Sequence, residues 1–129
     1  MIVTGADSGI GRATAIQFAK QGAKALVAEL NEKIANAVVD EIHAIGGIAM
    51  AVTGDMSDQA VVDKVVGAPI TIHGGLDVLV NNAGIMDSMS ANDEVSLEEW
   101  NRVIRVNLTV PFLLSRSALP HINVGRGGE

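Results

Sequence analysis

The stretch Met1-Ile2-Val3-Thr4-Gly5-Ala6-Asp7-Ser8-Gly9-Ile10-Gly11 decides the fold of this chain. A short apolar strand runs into a glycine-rich turn, and a helix begins within that turn. Glycines let the backbone turn tightly and approach a ligand closely. The first turn of a helix offers unpaired N–H groups and the positive end of its dipole to an anion. The spacing Gly5, Gly9, Gly11 therefore predicts a phosphate-binding turn of the kind that holds a dinucleotide.

Downstream of this turn, strand-like and helix-like segments alternate, a pattern that indicates parallel βαβ units. The predicted strands are Ile2–Thr4, Ala25–Ala28, Ile48–Thr53 and Leu76–Val80. The predicted helices cover residues 9–21, 32–45, a segment that begins at Ser57 or Asp58, and 96–119. The strands after the first are almost wholly apolar, as expected for strands covered on both faces.

Local signals set the expected ends of two helices. Gly67 and Pro69 predict that the third helix breaks or kinks early, because proline cannot donate the helical hydrogen bond. Ser96 and Glu99 have the spacing of a capping box, which predicts a helix that begins just after Ser96. Pro120 is expected to end that helix.

Composition narrows the function classes. The 129 residues carry a net charge of -6, which argues against nucleic acid or an anionic membrane as a partner. The chain has no cysteine, so neither a disulfide nor a cysteine-based metal site is expected, and the three histidines are far apart in sequence. No run approaches the ~18 apolar residues of a membrane span, and no signal-peptide pattern opens the chain. These features predict a cytoplasmic protein with one domain over residues 1–122 and a disordered tail over 123–129.

Two carboxylates stand where predicted strands end. Glu29 closes the second strand, where an acid can bond the 2′-hydroxyl of an adenosine ribose and repel a 2′-phosphate. That placement favours NAD over NADP, the alternative being a solvated carboxylate with no ligand. Asp55 follows the third strand and either meets the adenine amino group or caps the next helix. The sequence leaves both alternatives open.

Two asparagine motifs follow the fourth strand. Asn81-Asn82-Ala83-Gly84 is either a simple turn or a place where a flat ligand passes close to the backbone, with the amides pinning neighbouring strands. Asn107 lies inside the last predicted helix, four residues before Pro111. Because proline has no N–H, the carbonyl of Asn107 is expected to lack its helical partner and to bind a water.

Taken together, Thr4-Gly5-x-x-x-Gly9-Ile10-Gly11, Asn81-Asn82-Ala83-Gly84 and Val106-Asn107-Leu108 resemble the short-chain dehydrogenase/reductase family in order and spacing. The resemblance covers the chain to about Ile122. It implies a Rossmann-like doubly wound parallel sheet in the strand order 3-2-1-4, truncated after the helix that follows strand 4. It also implies hydride transfer between NAD(P) and a small alcohol or ketone.

The same resemblance assigns roles to individual positions. The glycine-rich turn would surround the pyrophosphate, and Glu29 would hold the adenosine ribose. Asp55 and the backbone of Met56 would hold the adenine. Asn82, Ala83 and Gly84 would hold the middle of the cofactor. Asn107 matches the catalytic-site asparagine, whose carbonyl holds a water in a proton relay. The implied cofactor-binding residues are Gly5, Ser8, Gly9, Ile10, Gly11, Glu29, Asp55, Met56, Asn82, Ala83 and Gly84. Family oligomers usually use the helix that holds Asn107, so a homo-oligomer is expected.

The resemblance stops short of a full catalytic set. The family's chemistry uses a serine, a tyrosine and a lysine that follow this last helix, and the 129 residues contain no tyrosine. We therefore expect these residues alone to show no dehydrogenase activity. The rival hypotheses are a non-catalytic nucleotide-binding or interaction module and a piece without a function of its own. A methyltransferase fits less well, because it gives no reason for the two asparagine motifs.

Overall fold

The structure, a computed structural model, describes residues 1–7, 9–89, 91 and 93–122. It contains a parallel four-stranded sheet in the order β3-β2-β1-β4, which confirms the predicted order. The strands are β1 (Ile2–Thr4), β2 (Lys24–Glu29), β3 (Ile48–Thr53) and β4 (Leu79–Val80). The helices are α1 (Gly9–Lys20), α2 (Glu32–Ala44), α3 (Gln59–His73), α4 (Leu97–Ile104) and α5 (Val110–Ala118).

Alternating side chains of the central strands pack into two separate cores, one on each face of the sheet. Val3 and Val27 point into a cluster shared with α1 and α2, where Ala15 and Ile42 are fully buried. Ile2 and its neighbours on the opposite face meet α3 and α5. Because helices cover both faces, the strands are apolar on both sides, as the sequence predicts.

The third helix corrects one expectation. Gly67 and Pro69 do not end or break it, and α3 continues to His73. Pro69 is fully buried on the same face as Val62 and Val65, so packing against the sheet outweighs the lost hydrogen bond. The helix ends instead at Gly74, whose N–H donates to the carbonyl of Ile70 at 2.9 Å. Its N-cap is Asp58, which accepts from the N–H of Ala60.

The fourth strand is also shorter than predicted. Only Leu79 and Val80 form the ladder with β1, opposite Ile2 and Val3. Leu76 is fully buried and forms an isolated parallel bridge with Ile122. Leu76, the first residue of the predicted strand, therefore pairs with the end of the described chain rather than with β1. The predicted disordered tail over 123–129 lies outside the described residues.

The last predicted helix is one helical run with an altered middle. Between α4 and α5, Arg105–Thr109 forms a π-helical segment, in which the N–H of Val110 donates to the carbonyl of Arg105, five residues back. A single π-helical turn within an α-helix marks a local disturbance of the hydrogen-bond ladder, and such turns are frequent at functional sites. The disturbance falls at Asn107, just before Pro111. Leu119–His121 closes the run as a 3₁₀ turn.

Candidate functional site

A cleft of about 600 Å³ opens at the carboxyl ends of the parallel strands. Open α/β sheets bind ligands at this edge, between strands from which the chain leaves in opposite directions. Here that point lies between β1 and β4, next to the glycine-rich turn. The sequence-predicted residues that line the cleft are Gly5, Gly9, Ile10, Glu29, Asp55, Met56, Asn82, Ala83 and Gly84.

The remaining predicted residues lie elsewhere. Gly11 is buried behind the turn, against the backbone of Gly5 and the side chain of Asn82. Ser8 falls outside the described residues. Asn107 does not line the cleft but contacts Ile85, which does. All of the predicted residues stay predictions as ligand contacts, while the gathering of the nine lining residues around one cleft is a property of the fold.

A hydrogen-bonded hub joins the end of β1 to the end of β4. The hydroxyl of Thr4, only 1% exposed, accepts from the N–H groups of Asn82 at 3.1 Å and Ala83 at 3.0 Å. It lies 3.4 Å from the carbonyl of Val80, to which it donates. The side-chain amide of Asn82 donates back to the carbonyls of Thr4 at 3.1 Å and Gly5 at 2.8 Å. The expectation that this motif pins neighbouring strands therefore holds for Asn82.

Glu29 carries the clearest sign of an unmet partner. Its Oε1 accepts from the N–H of Leu30 at 2.8 Å, but its Oε2 is buried with no hydrogen-bond partner among the described residues. A buried acceptor without a donor is costly, because it has lost its water and gained nothing. The terminal torsion of a glutamate is soft, so either oxygen can turn to the cleft. A ribose hydroxyl beside this strand end would supply the missing donor.

Asp55 does not take the first of its two predicted roles, the cap of α3, and its predicted contact with adenine stays a prediction. It does not cap α3, since Asp58 does, and its Oδ1 accepts from the N–H of Ser57 at 2.9 Å. Hydrogen bonds from the backbone and side chain of Ser57 hold the pKa of Asp55 below its usual value, and the charge of Arg105 adds to this. Asp55 is thus a fixed, ionised acceptor at the cleft wall.

The charge of the cleft is one-sided. The described lining residues include the carboxylates Asp7, Glu29 and Asp55 and no lysine, arginine or histidine. An anionic ligand here must be held by backbone N–H groups and a helix N-terminus rather than by basic side chains. Near its β4 side the wall is apolar, with Ile85, Val106 and Val110.

Asn107 fixes the loop that follows Gly84. Its Oδ1 accepts from the N–H of Ile85 and its Nδ2 donates to the carbonyl of the same residue, both at 2.8 Å. The side-chain amide thus imitates a strand neighbour and positions Ile85 at the cleft. Whether the backbone carbonyl of Asn107 binds water stays a prediction.

A second tie holds the same loop further along. The carboxylate of Glu99 accepts from the N–H of Ser88, whereas a full capping box would turn it back to the N–H of Ser96. Only half of the predicted capping box therefore forms, in which Ser96 accepts from the N–H of Glu99 at 3.1 Å. Bonds from the side chain and backbone of Ser88 lower the pKa of Glu99, helped by the charge of Arg102.

We expect this tie to weaken in acid. Since the folded pKa of Glu99 is depressed, its contribution to stability is present above its ordinary pKa of about 4.3 and is lost as pH falls through the lower folded value. The Ser88 amide resonance should report a titration with an apparent pKa below the ordinary one. In Glu99→Gln that titration should vanish, and an unaltered one would remove Glu99 from the tie.

The sequence missed several members of this site. Asp7, Leu30, Gly54 and Ile85 line the cleft beside predicted residues, and each is a chain neighbour of a motif position. The sequence places Thr4 at the end of a strand and in the glycine-rich motif, but it gives the hydroxyl no role. Its role depends on Asn82, 78 residues away, and no local pattern announces such a pair.

Two kinds of feature are absent from the described residues. Within residues 1–7, 9–89, 91 and 93–122, no group of three or more histidine, aspartate or glutamate side chains converges on a metal position. No helix in the described part of the chain is long and apolar enough to cross a membrane.

Comparison with known proteins matches this architecture throughout. The sequence profile of the family described as short chain dehydrogenase matches residues 1–129. A 2,5-dichloro-2,5-cyclohexadiene-1,4-diol dehydrogenase from Sphingobium indicum is 40% identical over 121 residues, which cover 94% of this chain and 48% of that protein. A cyclohexanol dehydrogenase from Acinetobacter is 38% identical over 127 residues, covering 98% of this chain and 51% of the relative.

Solved structures agree. A metagenomic short-chain oxidoreductase in complex with NADP superposes with a TM-score of 0.87 at 35% identity, over 92% of this chain and 54% of that one. A dehydrogenase/reductase from Sinorhizobium meliloti superposes with a TM-score of 0.88 at 36% identity, over 95% and 48%. The chain thus spans about half the length of the curated relatives it matches. With the family profile matched from end to end, the chain belongs to the short-chain dehydrogenase family, whose members use a nicotinamide cofactor.

Proposed function

We propose that this chain holds NAD(H) in the cleft for hydride transfer between the cofactor and a small alcohol or ketone. The observation that carries the proposal is the buried, unpartnered Oε2 of Glu29 at the end of β2, in a cleft whose described lining has no basic side chain. Ribose hydroxyls satisfy such an oxygen, and a 2′-phosphate is repelled by it. The family match and the relatives' names support the redox class.

Each part of the cofactor has a candidate partner. The pyrophosphate would lie against Gly9 and the N-terminus of α1, the ribose against Glu29, and the adenine against Asp55 and Met56. The nicotinamide end would pass Ala83 and Gly84, where the absence of bulky side chains lets a ring approach the backbone. When bound, the cofactor supplies the hydride acceptor or donor.

The chain's own residues hold the walls of the cleft in position. Thr4 and Asn82 hold the ends of β1 and β4 at a fixed distance, so that the two halves of the cleft stay in register. Asn107 places Ile85, and the apolar wall of Ile85, Val106 and Val110 excludes water near the β4 side. With NAD⁺ bound, these residues would hold the cofactor beside an alcohol that gives up a hydride and a proton to become a ketone.

The choice of cofactor is tested at Glu29. We expect Glu29→Ala to weaken NADH binding by about tenfold or more, because a charged hydrogen-bond acceptor is lost. NADPH binding should fall less or improve, since the repulsion of its 2′-phosphate is removed. Isothermal titration of the 129-residue chain with each cofactor measures both affinities.

A matched variant separates charge from hydrogen bonding. Glu29→Gln keeps an acceptor oxygen but removes the negative charge. It should therefore narrow the preference for NADH over NADPH and retain more NADH affinity than the alanine variant. An unchanged NADH-to-NADPH ratio in both variants would remove Glu29 from cofactor choice. Failure of every form to bind either cofactor, in a folded sample, would overturn the proposed function itself.

We also propose that the chain self-associates through the outer face of α4 and α5. Trp100, Leu108, Phe112 and Leu119 are all more than half exposed there. Exposed apolar patches of this kind mark interaction sites on soluble proteins. The same helical region is the one that the family resemblance implies as an interface.

Phe112 is the residue to change. It is 58% exposed, and the guanidinium of Arg116 lies 5.3 Å from its ring centre. We expect Phe112→Ser to lower the average mass seen by sedimentation velocity, whereas Met86→Ser, at an exposed apolar position outside this face, should leave it unchanged. Equal masses for both variants and the parent would contradict this interface.

A further inference from the structure

The outer edge of the sheet is formed by β3, and its own sequence offers no protection. Ile48-Ala49-Met50-Ala51-Val52-Thr53 contains no charged residue and no proline. Natural proteins usually protect such an edge with charges, proline, a bulge or a covering element, because unpaired strand groups pair readily with another chain. With no protection in its own sequence, this edge needs a residue from another element to block pairing.

The hydrogen-bond phase of β3 can be established from its neighbour. The N–H of Gly54 donates to the carbonyl of Glu29 at 3.1 Å, so Gly54 and, by alternation, Val52 and Met50 face β2. In a parallel ladder, alternate residues point their N–H and C=O groups to opposite sides. The N–H and C=O groups of Ala49, Ala51 and Thr53 therefore face outward, away from the sheet.

One side chain reaches this outward row. Nε2 of His43, in the last turn of α2, lies 3.1 Å from the carbonyl oxygen of Ala49. A carbonyl can only accept, so Nε2 donates, which it can do in the charged ring and in one of the two neutral tautomers. Across the described ranges, no other hydrogen bond to the outward groups of β3 is present.

Self-pairing shows what this contact prevents. Two copies of β3 running antiparallel can centre on Ala51, so that Ala49 of each copy faces Thr53 of the other. That register needs the Ala49 carbonyl as an acceptor in both copies. The Ala49 carbonyl already accepts from His43, whose imidazole ring stands beside the acceptor that the incoming strand needs.

We propose that His43 is an edge cap, which keeps β3 from pairing with β3 of a second copy of this chain. The cap is separate from the cleft, because Ala49 lies near the start of β3 whereas the cleft is at the carboxyl ends of the strands. It acts through geometry and hydrogen bonding rather than through a change of charge.

The test compares His43→Ala with Asn36→Ala, which truncates an exposed polar side chain of α2 that makes no hydrogen bond to other described residues. In His43→Ala, NMR hydrogen exchange should show the Ala51 and Thr53 amides slowing with protein concentration by roughly fivefold or more, as expected for a gained hydrogen bond. Sedimentation velocity should show a larger species than in the parent. Asn36→Ala should match the parent in both measurements.

A second substitution identifies the edge as the cause. Ala51→Pro removes an outward N–H without removing a ladder bond to β2, since proline is tolerated on edge strands. Added to His43→Ala, it should abolish the extra association. Association that persists in this double variant, or a His43→Ala chain that behaves as the parent does, would overturn the proposal. Association through α4 and α5 is distinguished because Ala51→Pro does not touch that face.

Discussion

Gly11→Ala should destabilise the chain by about 3 kcal/mol or more and abolish NADH binding. A Cβ at this position would overlap the carbonyl oxygen of Gly5 and Nδ2 of Asn82, far inside the 3.0 Å that real Cβ atoms keep. Neither group can move freely. Gly5 is held by its N–H to the carbonyl of Ala28 at 3.2 Å, and the Asn82 amide donates to two carbonyls.

The effect spreads to the cleft for a geometric reason. Gly5 has a φ of +62°, and a Cβ there would lie 2.7 Å from Cα of Ala83, so the turn and the Asn82-Ala83-Gly84 loop already touch backbone to backbone. Any shift forced by a methyl on Gly11 is passed to that contact. Denaturant unfolding measures the loss of stability, and calorimetry with NADH measures the loss of the site.

A second glycine serves as the control. Gly67 lies inside α3 with ordinary helical geometry, and a Cβ there would meet nothing within 4 Å. Gly67→Ala should therefore stabilise the chain by up to about 1 kcal/mol through helix propensity and leave NADH binding unchanged. A Gly11→Ala chain with parental stability and affinity would show that the turn relaxes, and the close-packed view of the site would be wrong.

The contrast between Gly11 and Pro69 shows where sequence reasoning succeeds. The glycine spacing is a local pattern with one structural solution, a strand that turns into a helix, and the structure has it. The pattern at Gly67 and Pro69 is also local, but its outcome depends on Val62 and Val65, which bury the same face of α3 against the sheet. Tertiary packing decides where such a helix ends, and a short stretch of sequence does not reveal that packing.

The site divides in the same way. Residues that touch the cleft through a turn, such as Gly9 and Ala83, are predictable because their motifs fix the backbone nearby. The hydrogen bonds of Asn107 to Ile85 join segments that are far apart along the chain. The hydrogen bond of Glu99 to Ser88 competes with a local alternative. For Glu99 the local alternative, the capping box, was the expectation, and the tertiary contact replaced half of it.

Thr4 is the strongest case of a contact that only the fold reveals, and Thr4→Val should cost about 1–3 kcal/mol of folding free energy. Valine fills nearly the same volume, so packing is kept while the hydroxyl is lost. The N–H of Ala83 then loses its acceptor, and a buried donor left without a partner costs about 1–3 kcal/mol. The N–H of Asn82 loses one of its two acceptors and keeps the carbonyl of Val80 at 3.1 Å. The effect is therefore one of hydrogen bonding rather than of a cavity.

The functional consequence should follow the structural one. Without the hydroxyl, only the side-chain amide of Asn82 still holds the Asn82-Ala83-Gly84 loop to the end of β1, so NADH affinity should fall together with stability. Thr4→Ser is the matched variant, because it keeps the hydroxyl and removes only the methyl group. Urea unfolding and NADH titration of both variants give the comparison: the serine variant should lie close to the parent in affinity, and the valine variant well below both. If the valine variant binds NADH as the parent does, the hub holds the two strand ends without shaping the cleft. The positioning role that we propose for Thr4 and Asn82 would then be wrong. The proposal for Glu29 would be unaffected, because its own variants test it.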